Sequence, residues 1–373
     1  MFRPQIQKTR VLFFLAMLIM VMVYWAVNSY EQHETYGFEL KVKAVENMKN
    51  SINSLREEFI SRGINNGEDS LAFGSFLLGP QHSIIQTTKG SKDSKLSTLN
   101  PNFAAMITEM FIELELDSSS KIAVSYTGSY PGANIAVLSA LEAMEMDASI
   151  ISSCGSSEWG ATYPEMTWID MEHNLNQVNH VSNKSKLGSI GGGFDLGSQL
   201  NREGRKICEE AIYSNKMKPL HEGDLIENVK KRMQYYDKNS ELGVIDLFIN
   251  VGGGIYTTGD SLKRDTLQVG IIYPGDINLD INQTVLERFL DLEIPVININ
   301  DIEKLAEWYE LPYPPNNKNK IKTGNLFYSH KKYNLKVILT AFIIAAGTVL
   351  FVGIVSHREI KKRMHSSEPE SIL

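Results

Sequence analysis

The chain has little cysteine, no excess of positive charge, and none of the short signatures that mark the commonest enzyme chemistries. Only two cysteines occur in 373 residues, Cys154 and Cys208. That is too few for the disulfide framework of a small secreted domain, and it leaves open one bridge or two buried thiols. A net charge of −7 excludes a general nucleic-acid binder. No GxxxxGK[ST] phosphate loop is present. Neither HExxH nor a Cys/His cluster supports zinc, so no metal and no cofactor is expected. A nucleophile elbow would read GxSxG, whereas Gly155-Ser156-Ser157-Glu158-Trp159-Gly160 sets the glycines in the wrong register.

What the chain does have is two long apolar runs. Val11 to Val27 follows Arg3, Lys8 and Arg10, and Leu335 to Val355 precedes Arg358, Lys361, Lys362 and Arg363. A membrane-crossing helix needs roughly 20 mostly apolar residues, which both runs approach or meet. Basic flanks stay on the cytoplasmic side, so both termini read as cytoplasmic; Lys331, Lys332 and Lys336 weaken the vote of the second run alone. The first run is long for a cleavable signal and is followed by "YWAVNSYEQ", which lacks a small-x-small cleavage site, so it reads as a retained anchor. The expected organisation is a cytoplasmic N-terminus (1–10), a membrane helix (11–27), an amphipathic helix (28–64), an extracytoplasmic α/β domain (65–334), a second membrane helix (335–355) and a cytoplasmic tail (356–373). The expected location is the cytoplasmic (inner) membrane, crossed twice.

Between the anchors, Leu40, Val45, Met48, Ile52, Leu55 and Phe59 recur at helical spacing. They predict either a stalk continuous with the first membrane helix or a helix lying on the domain. Asn65 to Asn100, rich in Gly, Ser, Thr and Lys, reads as a long loop, and Pro101 opens a helix capped by Asn100. Strands are expected at Lys121–Tyr126, Ala148–Ser153, Lys186–Ile190, Val244–Val251, Leu267–Tyr273 and Ile294–Ile299. Helices alternate with them. Apolar strands alternating with helices mean a doubly wound, mostly parallel (Rossmann-like) α/β sheet covered on both faces.

Three glycine-bearing loops follow strands: "TGSYPGAN", "GGGFDLGS" and "GGGIYTTGD". In a parallel sheet they leave from one edge, where such folds bind ligands. Their backbone amides suit an anion, with Gly128, Ser129, Gly132, Asn134, Gly191, Gly192, Gly193, Gly252, Gly253 and Gly254 as the candidate ligand-binding residues. Lys184, Lys186, Arg202, Arg205 and Lys206 can supply charge or simply face solvent. No dinucleotide fingerprint is complete, and nucleotides are scarce outside a membrane, so a carboxylate, phosphate or anionic polymer is expected. For catalysis the candidates are Ser157 and Glu158 after a strand, with His173 one helical turn beyond Asp170 as a base and its orienting carboxylate.

The stretches "LNPNFAAM" (Leu99 to Met106), "TGSYPGANIAVLSALEAM", "ISSCGSSEWGATYPEMTWIDMEHNL" and "FINVGGGIYTTG" resemble the membrane-anchored poly-gamma-glutamate system protein family. The resemblance covers most of Asn65 to Leu311 and is most specific from Trp159 to Glu172. It implies a place beside the ligase and membrane subunits that make and export poly-γ-glutamate, as part of a capsule-type pathway. It supplies no catalytic residues. Without a phosphate loop the chain would not perform the ATP-dependent ligase step. Three functions remain: an accessory component that binds the anionic polymer or partner subunits, a hydrolase or transferase that trims, releases or attaches the polymer, and a ligand sensor acting through a partner.

Overall fold

A computed structural model describes residues 9–64, 71–239, 244–278, 283–315 and 321–365. The outermost parts of both expected cytoplasmic tails, 1–8 and 366–373, and the start of the expected loop, 65–70, lie outside the described residues. In chain order, α1 (Thr9–Val27) and the two-residue β1 (Tyr30–Glu31) come first, then α2 (Phe38–Arg62), α3 (Lys92–Ser97) and α4 (Asn102–Glu113). The sheet region follows as β2 (Lys121–Thr127), α5 (Pro131–Met144), β3 (Asp147–Ser153), α6 (Trp168–Gln177), β4 (Leu187–Ser189), α7 (Arg202–Ser214) and β5 (Lys218–Pro219). Next are α8 (Leu225–Asn239), β6 (Leu247–Val251), the short α9 (Ile255–Thr258) and α10 (Ser261–Thr266), and β7 (Gly270–Ile272). After them come α11 (Val285–Asp291), β8 (Val296–Ile299), α12 (Ile302–Trp308), β9 (Lys332–Tyr333) and α13 (Leu335–His365).

The chain forms two units, Met1–Glu34 with Tyr328–Leu373, and Thr35–Phe327. In the first, α1 and α13 are both long and apolar enough to cross a membrane, and few or none of the residues in their apolar stretches are fully buried by protein. They pack along one another. Where α1 ends and α13 begins, β1 and β9 pair antiparallel, with Tyr30 opposite Tyr333 and their rings stacked 4.8 Å apart. The basic residues Arg10, Arg358, Lys361 and Lys362 therefore belong to the end of this helical hairpin away from the ribbon.

The second unit is α/β. Its seven strands run in the order β5-β4-β3-β2-β6-β8-β7, and every pair is parallel except β7 with β8. This is the mostly parallel sheet expected from the apolar strand pattern, and its one antiparallel strand is at the edge, a direction that a strand's hydrophobicity does not encode. Helices cover both faces. On one, Ala123, Ile151, Phe248 and Val296 meet Val229 and Tyr236 of α8 and Phe289 of α11, with Phe248 and Phe289 stacked at 4.5 Å. On the other, α6 lays Trp168 against Tyr126, and α5 packs against α4 and α2.

Of the two placements expected for the amphipathic helix, α2 takes the second. The chain leaves helical geometry between Val27 and Phe38, and α2 buries Val45, Met48, Ile52, Leu55 and Phe59 against the domain. The boundary of the α/β unit accordingly falls at Thr35. Pro101 sits at the N-cap of α4 rather than within it, while Asn100 Oδ1 accepts the Asn102 N–H at 3.0 Å. The two cysteines form a disulfide, with Cα atoms 5.5 Å apart, that ties the loop after β3 to α7.

A polar network lies under α6. Trp168 Nε1 donates to Ser152 Oγ at 3.2 Å, Ser152 and Ser185 share a 2.7 Å hydrogen bond, and Ser185 Oγ donates to Glu172 Oε1 at 2.9 Å. Burial raises the Glu172 carboxyl to about 7, against the opposing effect of the Ser185 hydrogen bond. The folded chain then holds this proton over a range where the unfolded chain has released it. Stability from this group is full below about pH 4.5 and falls as pH rises towards 7. The loss amounts to at most about 3 kcal/mol. Glu172→Gln should flatten that slope in denaturant melts of the full chain, and a variant with the wild-type slope would show that the carboxyl titrates normally.

Candidate functional site

The chain runs outward from β2 through β3, β4 and β5, then returns to place β6 on the opposite side of β2. That reversal is a topological switch point, and the loops leaving the two neighbouring strands diverge to opposite faces and open a crevice at their carboxyl ends. A cleft occupies it. Its outer part, about 380 Å³, includes Lys95, Ser129, Tyr130, Ser157, Arg264 and Lys304 in its wall. Its inner part, about 340 Å³, shares Thr88, Ser129, Gly253 and Arg264 with the outer one and reaches Asp195 and Arg232. A larger groove of about 500 Å³ between α8 and α11 is mostly apolar and has no wall residue in common with the cleft.

All three glycine loops reach this edge. Ser129, Gly191, Gly192, Gly193, Gly253 and Gly254 line the cleft. Gly128, Gly132, Asn134 and Gly252 are not in its wall; they pack against neighbouring segments, Gly132 against Thr98 and Gly252 against Thr127. A Cβ on Gly128 would fall 2.6 Å from the Cys154 carbonyl oxygen, so glycine is required for the β2 and β3 loops to touch. Asn134 donates from Nδ2 to Thr127 O at 2.9 Å and joins the start of α5 to the end of β2.

The catalytic candidates separate. Ser157 lies in the cleft wall, held there by an extended segment before α3. Thr87 N donates to Ser156 O at 2.8 Å, and Glu158 N donates to Thr88 O at 2.9 Å, so residues 85–88 run beside the loop like an added strand. The alternation sends Ser156 Oγ to Gly128 O at 2.9 Å and Ser157 Oγ to the amine of Lys95, whose Nζ donates at 2.8 Å. Glu158 is buried beside it, with Oε2 accepting the Gly90 N–H at 3.3 Å, and so fixes the turn into α3. Asp170 and His173 are elsewhere. Asp170 closes a capping box with Thr167 and also accepts from Asn215 Nδ2 at 2.7 Å. His173 has its pKa lowered by partial burial and by Lys184. Neither lines the cleft, and neither do Lys184, Lys186, Arg202, Arg205 and Lys206.

Lys95, which sequence reasoning missed, is the unusual group. It lies on α3 inside the stretch read as a loop. The signal for that helix was present: Ser91 caps it by accepting the Ser94 N–H at 3.2 Å, and Asp93 sits in the first turn. Lys95 is 1% exposed, and no carboxylate pairs with it among the described residues. Its Nζ lies 3.5 Å from the centroid of the Tyr130 ring. Burial holds this amine well below the ordinary lysine pKa and pushes the Tyr130 hydroxyl up to about 12.

Comparison with family models, with curated proteins and with solved structures returns no match. Among the described residues no group of three His, Cys, Asp or Glu side chains is arranged to hold a metal.

The inner wall depends on a buried ion pair. Arg232 donates to Asp195, to Asn228 Oδ1 at 2.8 Å and to Ser189 Oγ at 3.4 Å, while Ser189 Oγ donates to Asp195 Oδ1 at 2.8 Å. Phe194 and Asp195 are held in the left-handed region at φ 53° and 58°. That conformation is costly for non-glycine residues and persists because these contacts over-determine it. Arg232→Met would leave the Asp195 charge buried and unpaired, and should cost about 3–5 kcal/mol in urea melts. The double variant with Asp195→Asn should recover much of that loss; equal losses in both would remove the ion pair as the cause.

Proposed function

We propose that this protein is a two-pass membrane protein whose α/β unit lies outside the cytoplasm and binds a carboxylate-rich polymer in the switch-point cleft, as an accessory component of poly-γ-glutamate synthesis or export. The observation that carries this reading is the charge of the outer cleft. Lys89, Arg264 and Lys304 stand in its wall as cations against Asp265 and Asp301, beside the buried amine of Lys95, in a chain of net charge −7. Opposite charge focused in a cleft raises the local concentration of an anionic ligand and speeds its arrival. Arg264 reaches the wall by lying over Gly253, where any Cβ would collide with it. Among anions, a carboxylate suits the compartment better than a nucleotide.

Three features support the placement. Basic residues border the ends of α1 and α13 away from the ribbon, as expected for the cytoplasmic side. The packing of α1 along α13 favours a retained anchor over a cleaved signal. The Cys154–Cys208 disulfide fits an oxidising compartment. The pathway rests on the resemblance carried by the stretches from Leu99 to Met106 and from Trp159 to Glu172, and the partners are the other subunits of that synthase and export complex.

Two measurements test the reading. With the full chain in detergent micelles, a γ-linked glutamate oligomer at 100 times its Kd should stabilise the fold by about 2.7 kcal/mol. An α-linked oligomer or an adenine nucleotide should stabilise it less, and Arg264→Gln should weaken binding about tenfold. Preference for the nucleotide, or no response to any of the three, would overturn the polymer reading. For topology, protease added to intact spheroplasts should degrade residues 35–327; their survival until the membrane is opened would place the domain in the cytoplasm.

A further inference from the structure

We infer that Ser157 and Lys95 form a nucleophile and general-base pair that cleaves an amide bond of the bound polycarboxylate. The inference rests on reading the cleft as a site for an amide-linked, carboxylate-rich chain. It goes beyond that reading by assigning covalent chemistry to a site so far described only as binding.

The geometry has three parts. Lys95 Nζ and Ser157 Oγ are 2.8 Å apart, within the reach required for proton transfer between a nucleophile and its base. Both residues contribute to the wall of the outer cleft, with Lys95 1% and Ser157 6% exposed, so the hydroxyl is the more accessible of the two and the amine lies behind it. Gly90 packs close against the pair: a Cβ there would lie 2.7 Å from Glu158 O, 3.1 Å from Ser157 Oγ and 3.3 Å from Lys95 Cε, so a side chain at this position would crowd both groups. Ser129 completes the arrangement. Its Oγ accepts the Ser157 N–H at 3.1 Å, and it lines the same cleft, bringing a hydroxyl donor for a developing oxyanion. Serine with lysine as base is a known variant of the serine triad. Burial without a counter-ion favours the neutral amine, the form that accepts a proton.

The step balances within these groups and water. Lys95 Nζ takes the Ser157 hydroxyl proton as Oγ bonds to the amide carbonyl carbon, and the negative charge passes to the carbonyl oxygen. The carbonyl re-forms as the C–N bond breaks, with the leaving nitrogen taking the proton from Lys95. The product is an ester on Ser157 and a free amine. Water then attacks the ester carbonyl, giving a proton to Lys95. The C–Oγ bond breaks, Oγ recovers that proton, and a carboxylic acid leaves and ionises.

The test uses the full chain in detergent micelles with a fluorophosphonate probe, which phosphorylates activated serines. Wild type should carry one modification, on the peptide containing Ser157, and Ser157→Ala should fall to background. Lys95→Arg keeps a cation but supplies no base, and should slow labelling at least about 100-fold. If that variant does not melt cooperatively, Lys95→Met is read in its place. No labelling of wild type, labelling at another residue, or a Lys95 variant that reacts at the wild-type rate would overturn the inference. Binding of γ-linked hexaglutamate to the same wild-type preparation reports separately on the ligand. Labelling without binding keeps the pair and discards the polycarboxylate; binding without labelling does the reverse.

Discussion

A strand paired in parallel on both sides cannot be reached by hairpins, and β2 is such a strand, with β3 on one side and β6 on the other. Each connection must cross a face of the sheet, which is why helices cover both faces. The outward march to β5 and the return to β6 also force the loops after β2 and β6 apart at their carboxyl ends. The register sets how they part: Tyr126 lies opposite Val251, so both strands end at the same level and their loops start side by side. The β2 loop contributes Ser129 and Tyr130 to the cleft, and the β6 loop contributes Gly253. The crevice follows from the order of strands, and the residues around it decide its chemistry.

Those residues come from segments outside the sheet as well as from its loops. The extended segment 85–88 clamps the loop after β3, and α3 then carries Lys95 to the hydroxyl of Ser157. A fully buried amine without a counter-ion is expensive to keep charged. The fold satisfies it with a hydroxyl and an aromatic face, both of which a neutral amine can use. α3 is fixed at its other polar positions too: Ser94 and Tyr313 share a 3.2 Å hydrogen bond, and Ser97 Oγ donates to Pro312 O at 3.4 Å. The lysine is therefore held by its helix as well as by its own contacts.

Much of this was legible in the sequence. Apolar runs of strand length, spaced by helical patterns, gave the α/β class and placed β2, β3, β6 and β8 to within a few residues, and the glycine loops marked the edge that holds the cleft. Other features were legible in principle. Thr167-x-x-Asp170 before Met171 is a capping-box pattern, which accounts for Asp170 without catalysis. Ser91 with Asp93 was a helix start hidden in a polar stretch whose composition resembles a loop. The direction of β7 was not legible, because a three-residue edge strand carries no directional signal. Nor was the pairing of Lys95 with Ser157, since 62 positions separate them and only the tertiary fold brings them together.

The two readings of the cleft are linked by the charge of one amine. A carboxylate arriving beside Lys95 favours its protonated form, whereas an amide carbonyl carries no charge and leaves the amine neutral. In a site built this way, intact polymer presenting an amide to Ser157 preserves the base. A carboxylate in the same position removes it. Under the proposed cleavage the first would become the second, so the released carboxylate would protonate the base and oppose the next turnover. The other cations of the outer cleft wall are Lys89, Arg264 and Lys304, of which Lys304 pairs with Asp301 at 3.3 Å and Arg264 lies 3.8 Å from Asp265; the charge of none of them is needed as a base. A cleft with charged lysine and arginine side chains at its wall and one buried amine, without a counter-ion, at the serine can separate the task of attracting an anion from the task of accepting a proton.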